Sequence, residues 1–190
     1  MAAKPHPKYP DIRQALEGFA KRGKAFSGFG YRCAEPRFGG EIVSGLGSQL
    51  HGSRWTPKHS FPTVYLSDTV EAALQEYLAR VRRMRLPDHR SLPMVMAWVK
   101  VKALNFLDIT QPEVAAIVSP FLAEEKIHWR SIQDRREAAS QAVGRTIKEI
   151  GFSGLIAPSQ ALPGGKNLVI FPQNLGPAEG LSAPNLKLIE

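Results

Sequence analysis

The chain has 190 residues, of which 43% are hydrophobic and 22% charged, so we expect one globular domain rather than a disordered segment. Its 25 basic and 17 acidic residues give a net charge of +8, which favours an anionic ligand or partner. The single cysteine excludes an intrachain disulfide, and no apolar run approaches the roughly 18 residues that span a membrane. We therefore expect a cytoplasmic protein without membrane contact, and the first residues lack the apolar segment of a secretory signal.

Helix and strand signals follow one another irregularly along the chain. In chain order they predict a helix over 11–22, a strand over 29–34, a glycine-rich loop over 39–53, a strand over 63–66 and a helix over 69–85. A strand over 95–104 follows, with 105–109 as its continuation or an edge, then a helix from Thr110, a helix over 131–150, and strands over 154–157 and 167–171. Because this order lacks a regular β-α-β alternation, we predict an α+β fold in a single domain. The predicted parts are an N-terminal extension with the first helix (1–28), the functional domain (29–174) and a C-terminal surface extension (175–190).

The residues at the ends of the predicted helices support their boundaries. Asp11 is expected to cap the first helix, and Asp68 with Glu71 has the spacing of a capping box before the second. Thr110 is expected to cap the third helix, which Pro120 should break or kink.

Two places combine an arginine with a position that favours contact with a ligand. Arg32 follows Tyr31 in the middle of a predicted strand, where an arginine that faces the core usually binds an anion. The alternative is that Arg32 faces solvent while Tyr31 packs. Arg54 follows the glycine-rich loop and precedes Trp55, so it is a candidate to bind a phosphate group beside a tryptophan wall. A loop anchored by one buried tryptophan explains the same residues.

Two further places carry polar residues near strand ends. Tyr65 ends a predicted strand, and Glu76 lies about two turns into the following helix, about 120° from the centre of its apolar face. The alternative for Glu76 is a surface ion pair with Arg80 at i, i+4 spacing. Ser159 follows Pro158 at a strand end before a glycine-containing loop, where a hydroxyl often contacts a ligand, although an ordinary turn serine has the same signature.

Taken in order, these segments resemble the RES-domain family, which is named for an arginine, a glutamate and a serine. The resemblance covers roughly residues 30 to 174 and rests on Tyr31-Arg32, Gly52-Ser53-Arg54-Trp55, Val64-Tyr65-Leu66-Ser67, Ala72-Ala73-Leu74-Gln75-Glu76, Ser140-Gln141-Ala142-Val143-Gly144, Gly154-Leu155-Ile156-Ala157-Pro158-Ser159 and Asn167-Leu168-Val169-Ile170-Phe171-Pro172. Ser53 and Thr56 depart from the family pattern, which often has a second glycine before the arginine-tryptophan pair and an asparagine after it.

The resemblance implies a fold related to ADP-ribosyltransferases and a toxin of a bacterial toxin–antitoxin pair that consumes NAD. The implied reaction breaks the nicotinamide–ribose bond by phosphorolysis or hydrolysis, with NAD as substrate, inorganic phosphate as co-substrate, and no metal or cofactor. The implied catalytic residues are Arg32, Glu76 and Ser159, and the implied substrate-binding residues are Tyr31, Arg54 and Tyr65. Glu76 would stabilise positive charge on the ribose, and Arg32 and Arg54, which we expect to face one pocket, would hold the pyrophosphate or the attacking phosphate. The implied partner is a helix-turn-helix antitoxin, while a homo-oligomer stays open.

Two alternatives compete with NAD depletion. The first is an ADP-ribosyltransferase that uses the same pocket and modifies a protein. The second is a basic nucleic-acid-binding module that uses the arginines near residues 80 to 90 with Lys100 and Lys102. We expect no direct nucleic-acid contact, because the sequence carries no recognised nucleic-acid-binding motif and its aromatic residues do not interleave with the basic run.

Overall fold

A computed structural model describes residues 4–20, 22–125 and 128–190 of the chain. The helices are α1 (Tyr9–Glu17), α2 (Leu46–His51), α3 (Val70–Arg83), α4 (Pro112–Glu124), α5 (Trp129–Ile132) and α6 (Ala139–Glu149), with 3₁₀ turns at Pro36–Glu41, Asp88–Ser91 and Pro172–Asn174. The strands are β1 (Lys24–Ala34), β2 (Val64–Ser67), β3 (Met94–Asp108), β4 (Gly154–Pro158), β5 (Lys166–Ile170), β6 (Gly180–Leu181) and β7 (Asn185–Ile189). The predicted α+β class and single domain are confirmed.

The seven strands form one mixed sheet that curls back on itself. The long strands β1 and β3 pair antiparallel, from Lys24 opposite Phe106 to Ala34 opposite Val95. The β2, β5 and β4 strands then connect β1 to the far end of β3, and among the strand pairings of the described residues the β3–β4 pairing alone is parallel. The predicted strand over 95–104 is confirmed, with Lys100 and Lys102 exposed and Val99 and Val101 buried, and β3 continues through the following residues to Asp108.

Two main apolar clusters cover the two faces of this sheet. One packs α1, α4 and α6 against the sheet through residues such as Leu16, Val143 and Val169, and the other fills the opposite face with residues such as Val99 and Leu168. Successive residues of β5 alternate between the two clusters, as the strand period of two requires. Both faces of the central strands are therefore buried.

The two ends of the chain belong to the same fold as its middle. The N-terminal segment is tied to the start of α6, because Lys4 O accepts from the Glu137 N–H at 2.7 Å. The β1 strand crosses the expected boundary at residue 29, and β6 and β7 pair with β3 inside the expected C-terminal extension. Both extensions thus contribute to the packing or the sheet of the domain.

Several expected element boundaries are wrong for reasons that involve distant residues. The first helix spans Tyr9–Glu17 with Lys8 at its N-cap, so Asp11 lies within its first turn, and Lys21 of the expected helix lies outside the described residues. Thr69 rather than Asp68 caps α3, because the Asp68 carboxylate accepts from the Lys166 N–H at 3.0 Å.

The expected third helix also starts and continues differently. Its N-cap is Gln111, because the Thr110 hydroxyl donates to Asp108 Oδ1 at 2.6 Å instead of capping. Pro120 lies inside α4 without ending it.

The expected helix over 131–150 is two helices, and the expected glycine loop contains a helix. The α5 and α6 helices are separated by a segment that buries Glu137, which pairs with Arg145 at 2.7 Å. The expected loop over 39–53 contains α2, which begins after Gly45 at φ 69°. A Cβ at Gly45 would meet the Thr63 backbone nitrogen at 2.6 Å, so a close backbone approach fixes this glycine.

Candidate active site

A cavity of about 780 Å³ lies between β1, β2, α3 and the segment 38–53. Among the described residues, four arginines line it, namely Arg32, Arg80, Arg83 and Arg130, and two carboxylates, Glu41 and Glu76. Its size is in the range of small-molecule sites, and its excess of guanidinium groups favours an anionic ligand.

Glu76 is the carboxylate that the surrounding structure holds in place. Its Oε1 accepts a hydrogen bond of 2.7 Å from Ser159 Oγ and one of 2.8 Å from Asn167 Nδ2. Asn167 is itself oriented, because its Oδ1 accepts from Ser67 Oγ at 3.1 Å. The expected surface pair with Arg80 does not form, since Arg80 lies 3.5 Å from Glu35 instead. Glu76 is thus fixed by two donors from distant parts of the chain.

The loop between β4 and β5 positions Ser159 for this contact. The Ser159 N–H donates to Gly165 O at 2.9 Å, which closes the loop at its base. Its Oγ accepts from the Ala161 and Leu162 N–H groups at 3.1 and 3.2 Å, so its hydroxyl proton is directed at Glu76. The predicted serine at this strand end therefore lies against the predicted carboxylate.

Arg32 reaches the cavity from the centre of β1. Its guanidinium donates to Ile42 O at 3.0 Å, and none of the described carboxylates lies within ion-pair distance of it. Burial, and then the nearby Arg80, lower the pKa of Arg32. A desolvated cation beside another cation is stabilised when an anion binds between them. The solvent-facing alternative for Arg32 is wrong.

Arg54 is not on the wall of this cavity, so the expectation that Arg32 and Arg54 share one pocket is wrong. Arg54 lines an adjoining cavity of about 320 Å³, and Trp129 borders both cavities. The guanidinium lies 4.9 Å from the Trp55 ring centre and donates to Pro158 O at 3.4 Å. Burial lowers the pKa of Arg54, an effect opposed by the nearby Glu76. The charges of Arg54 and Glu76 are thus close enough to interact, although Arg54 lines the second cavity.

The two tyrosines occupy different situations. Tyr31 lines the large cavity with its ring half-buried. Tyr65 also lines it, but its hydroxyl is bound by the loop that precedes β2, with Ser53 Oγ at 2.5 Å and the Trp55 N–H at 3.1 Å. Burial raises the pKa of Tyr65. Tyr65 therefore fixes the arginine-tryptophan loop in addition to lining the site.

Helix α6 packs against the loop that carries Arg54 and Trp55. Gln141 is fully buried, and its Nε2 donates to Ser53 O at 2.9 Å and to Thr56 O at 3.2 Å. A Cβ at Gly144 would meet Trp55 O at 2.0 Å, so only glycine permits this approach of helix and loop. The family segment that contains Gln141 and Gly144 thus has a structural role.

Sequence reasoning missed three kinds of site residue. Asn167 is one of them, and its signal is a polar residue at the start of an apolar strand. Arg80 and Arg83 belong to the basic run that the sequence offers only to a nucleic-acid surface, yet both line the cavity. Arg130 carried no local signal. Among the described residues, no group of three or more His, Cys, Asp or Glu is placed to hold a metal ion.

The sequence pattern of the RES domain matches residues 29–187 of this chain. The chain belongs to the RES domain family. The match includes every predicted site residue and extends past residue 174 to include β6 and part of β7.

Two comparisons identify relatives. Proteins named NAD(+) phosphorylase MbcT, from Mycobacterium bovis and Mycobacterium tuberculosis, are 26% identical over 135 residues, which is 68% of this chain and 66% of theirs. The chain thus spans just under two thirds of the length of these curated relatives. The crystal structure of the M. tuberculosis MbcT–MbcA toxin–antitoxin complex matches with a TM-score of 0.70 and 22% identity, covering 93% of this chain and 91% of that one. This similarity confirms the fold. No described helix is long and apolar enough to cross a membrane.

Proposed function

We propose that this protein is a toxin that depletes NAD by cleaving the nicotinamide–ribose bond, with inorganic phosphate as the acceptor. The observation that carries the proposal is the Glu76 carboxylate, held by Ser159 and Asn167 at a cavity with an excess of arginines. Membership of the RES domain family and the name of the mycobacterial relatives support the choice of substrate and acceptor.

Glu76 would act on the charge that develops when the glycosidic bond breaks. The ribose becomes positively charged as nicotinamide departs, as in glycoside hydrolysis. A carboxylate fixed before the reaction stabilises that charge without reorganising, and one such group typically contributes about 10²–10³ in rate. The hydrogen bonds from Ser159 and Asn167 supply this fixed orientation, so we assign Glu76 the catalytic role and Ser159 a positioning role.

The cavity arginines would bind the pyrophosphate of NAD. Arg32 lacks a carboxylate partner among the described residues, and Arg83 and Arg130 lie close enough that the pKa of Arg130 is lowered, first by burial and then by Arg83. Two phosphate charges placed among these groups would relieve their mutual repulsion. The ring of Tyr31 would form one wall for the nicotinamide riboside, with Tyr65 behind it.

The arginine run of α3 fits this function better than a nucleic-acid surface. Arg80 and Arg83 are exposed, but both line the cavity. Lys100 and Lys102 lie on β3, which does not line the cavity. We therefore propose that the protein makes no direct contact with nucleic acid.

The partner would be an antitoxin with a helix-turn-helix part. The toxin–antitoxin complex among the matching structures supports a protein partner, and the net charge of +8 favours an acidic one. Self-association of this chain stays a separate proposal, which measurement of its mass in solution would decide.

The direct experiment incubates the purified protein with NAD, with and without inorganic phosphate, and measures free nicotinamide and the second product. We expect nicotinamide release that depends on phosphate, with ADP-ribose 1″-phosphate as the second product. ADP-ribose instead would indicate hydrolysis, and labelled protein in a lysate would indicate a transferase. No release of nicotinamide under any of these conditions would contradict the proposal.

A further inference from the structure

The smaller cavity contains polar groups that no part of the NAD-binding site uses. It lies beside the N-terminus of α6, and Arg54, Ser140 and Gln160 line it together with His128, Glu125 and the ring of Trp129. Its volume of about 320 Å³ is less than half that of the main cavity, which makes it a pocket for a small group rather than a dinucleotide.

Ser140 is the group that points to a ligand. Its side chain lines the cavity, the residue is only 7% exposed, and its hydroxyl has no hydrogen-bond partner among the described residues. The Ser140 hydroxyl therefore faces the cavity itself, where an atom of a ligand can accept its hydrogen bond. Ser140 is also the second residue of α6, so its backbone N–H has no acceptor within the helix.

The charges around Ser140 favour an anion. Arg54 is half-buried, and its one hydrogen bond among the described residues is the 3.4 Å contact to Pro158 O. The N-terminus of an 11-residue helix adds a positive partial charge. Glu125 opposes this, but its Oε2 accepts from the Ala139 N–H at 2.6 Å and its Oε1 lies 2.9 Å from Arg136. Glu125 thus forms its ion pair with Arg136 and not with Arg54, although its buried Oε1 accepts no hydrogen bond from the described residues.

We propose that this smaller cavity binds inorganic phosphate, the second substrate, through the Arg54 guanidinium, the Ser140 hydroxyl and the Ser140 N–H. The inference rests on the proposed NAD phosphorolysis. It assigns Arg54 to phosphate, the acceptor, rather than to the pyrophosphate of NAD, because Arg54 does not line the large cavity.

The position of the cavity suits an acceptor site. Arg54 donates to the carbonyl of Pro158, and the next residue, Ser159, donates to Glu76, so two adjacent residues connect the smaller cavity to the catalytic carboxylate. In the reaction, a phosphate oxygen supplies the electron pair for a new bond to the ribose C1. The bond between C1 and the nicotinamide nitrogen breaks, and its electron pair neutralises the pyridinium ring. No proton transfer or other reactant is needed for the balance.

The test separates the two substrates by their Michaelis constants. In Ser140→Ala, the KM for phosphate at saturating NAD should rise about tenfold, because a hydrogen bond to a charged group is lost, while the KM for NAD changes by less than about twofold. Arg54→Lys should do the same, because it keeps the charge and loses the two-pronged geometry. Ser119→Ala, at an exposed position of α4, is the matched control.

The opposite pattern would overturn the site. An unchanged KM for phosphate in Ser140→Ala, or an equal rise in the KM for NAD in Arg54→Lys, would show that the cavity does not hold the acceptor. Titration of the full chain with inorganic phosphate alone gives an independent answer, with saturable binding expected in the unmodified protein and weaker binding in Ser140→Ala. If the protein releases no nicotinamide, the proposed function fails, but this titration still decides whether the phosphate site exists.

Discussion

The side-chain amide of Asn167 donates a hydrogen bond of 2.8 Å to Glu76 Oε1, across 91 positions of the chain. The contact joins the start of β5 to the middle of α3, and Ser67 on β2 holds the other end of the same amide. Side chains of β2 and β5 therefore fix the orientation of the Glu76 carboxylate on α3. A carboxylate oriented in this way before the substrate arrives is what charge stabilisation requires.

This contact predicts that Asn167→Ala acts on turnover rather than on substrate affinity. Without the amide, Glu76 keeps its charge but loses one of its two donors, so we expect kcat to fall about tenfold with little change in the KM for NAD. Steady-state kinetics measure both constants. Asn185→Ala, at an exposed position of β7, is the control. A rise in KM with unchanged kcat would show that Asn167 binds substrate instead.

Arg32→Lys should weaken NAD binding although it keeps the positive charge. The guanidinium uses one nitrogen for Ile42 O, and its planar geometry leaves further N–H groups for a phosphate, which an ammonium cannot reproduce. We expect the KM for NAD to rise about tenfold. Arg37→Lys is a suitable control, because Arg37 is exposed and pairs with Glu35 at 2.7 Å. Normal kinetics in Arg32→Lys would refute a pyrophosphate contact.

Gly144→Ala should destabilise the fold through the arginine-tryptophan loop. The added methyl group would meet the Trp55 carbonyl oxygen at 2.0 Å, so the helix and the loop must separate. We expect the free energy of unfolding to fall by at least about 2 kcal/mol, measured by urea denaturation. Gly18→Ala is the control, because a Cβ there has open space and Gly18 already has helical dihedral angles. Equal free energies of unfolding for the two variants would mean that the loop moves away from the added methyl group at no cost.

The lone thiol should be unreactive in the native protein. Burial raises the pKa of Cys33 to about 11, so at pH 8 only about one thiol in a thousand is the reactive thiolate. Reaction with Ellman's reagent should therefore be slow in buffer and fast in concentrated urea, where the exposed thiol returns to an ordinary pKa. Folding favours the neutral thiol of Cys33, so a higher pH increases the thiolate fraction and should speed the reaction of the native protein. Rapid labelling at pH 7 would contradict the burial of this group.

The sequence predicts those parts of the fold that local pattern controls. The alternation along β3 places Lys100 and Lys102 in solvent, and the short apolar strands β4 and β5 lie where their hydrophobic runs indicate. The separation of α5 from α6 is different, because it depends on the buried ion pair of Glu137 with Arg145 and on the backbone contact of Glu137 with Lys4. Contacts of that kind leave no periodic signal.

The same distinction applies to the site. The family resemblance implies catalytic roles for both Ser159 and Glu76, with Ser159 bound either to the ribose or to Glu76, and the structure places the two side chains in contact. The separation of Arg32 and Arg54 into adjoining cavities could not be predicted, because it depends on the packing of distant segments, including the one that carries Trp129, which lines both cavities. Arg130 enters the site through a four-residue helix that no sequence pattern indicated. Charge and spacing predict which residues can bind a ligand, whereas the packing of distant segments decides which cavity each residue lines.

The most direct test of the account compares nicotinamide release from NAD by the unmodified protein and by Glu76→Gln, in the presence of phosphate. Glutamine retains an oxygen that can accept from Ser159 and Asn167, so the fold should survive, with a melting temperature near that of the unmodified protein. The charge that stabilises the ribose is lost, and we predict that the rate falls by at least about 10²-fold. Turnover close to that of the unmodified protein, in a variant that is fully folded, would contradict the assignment of Glu76 as the catalytic carboxylate.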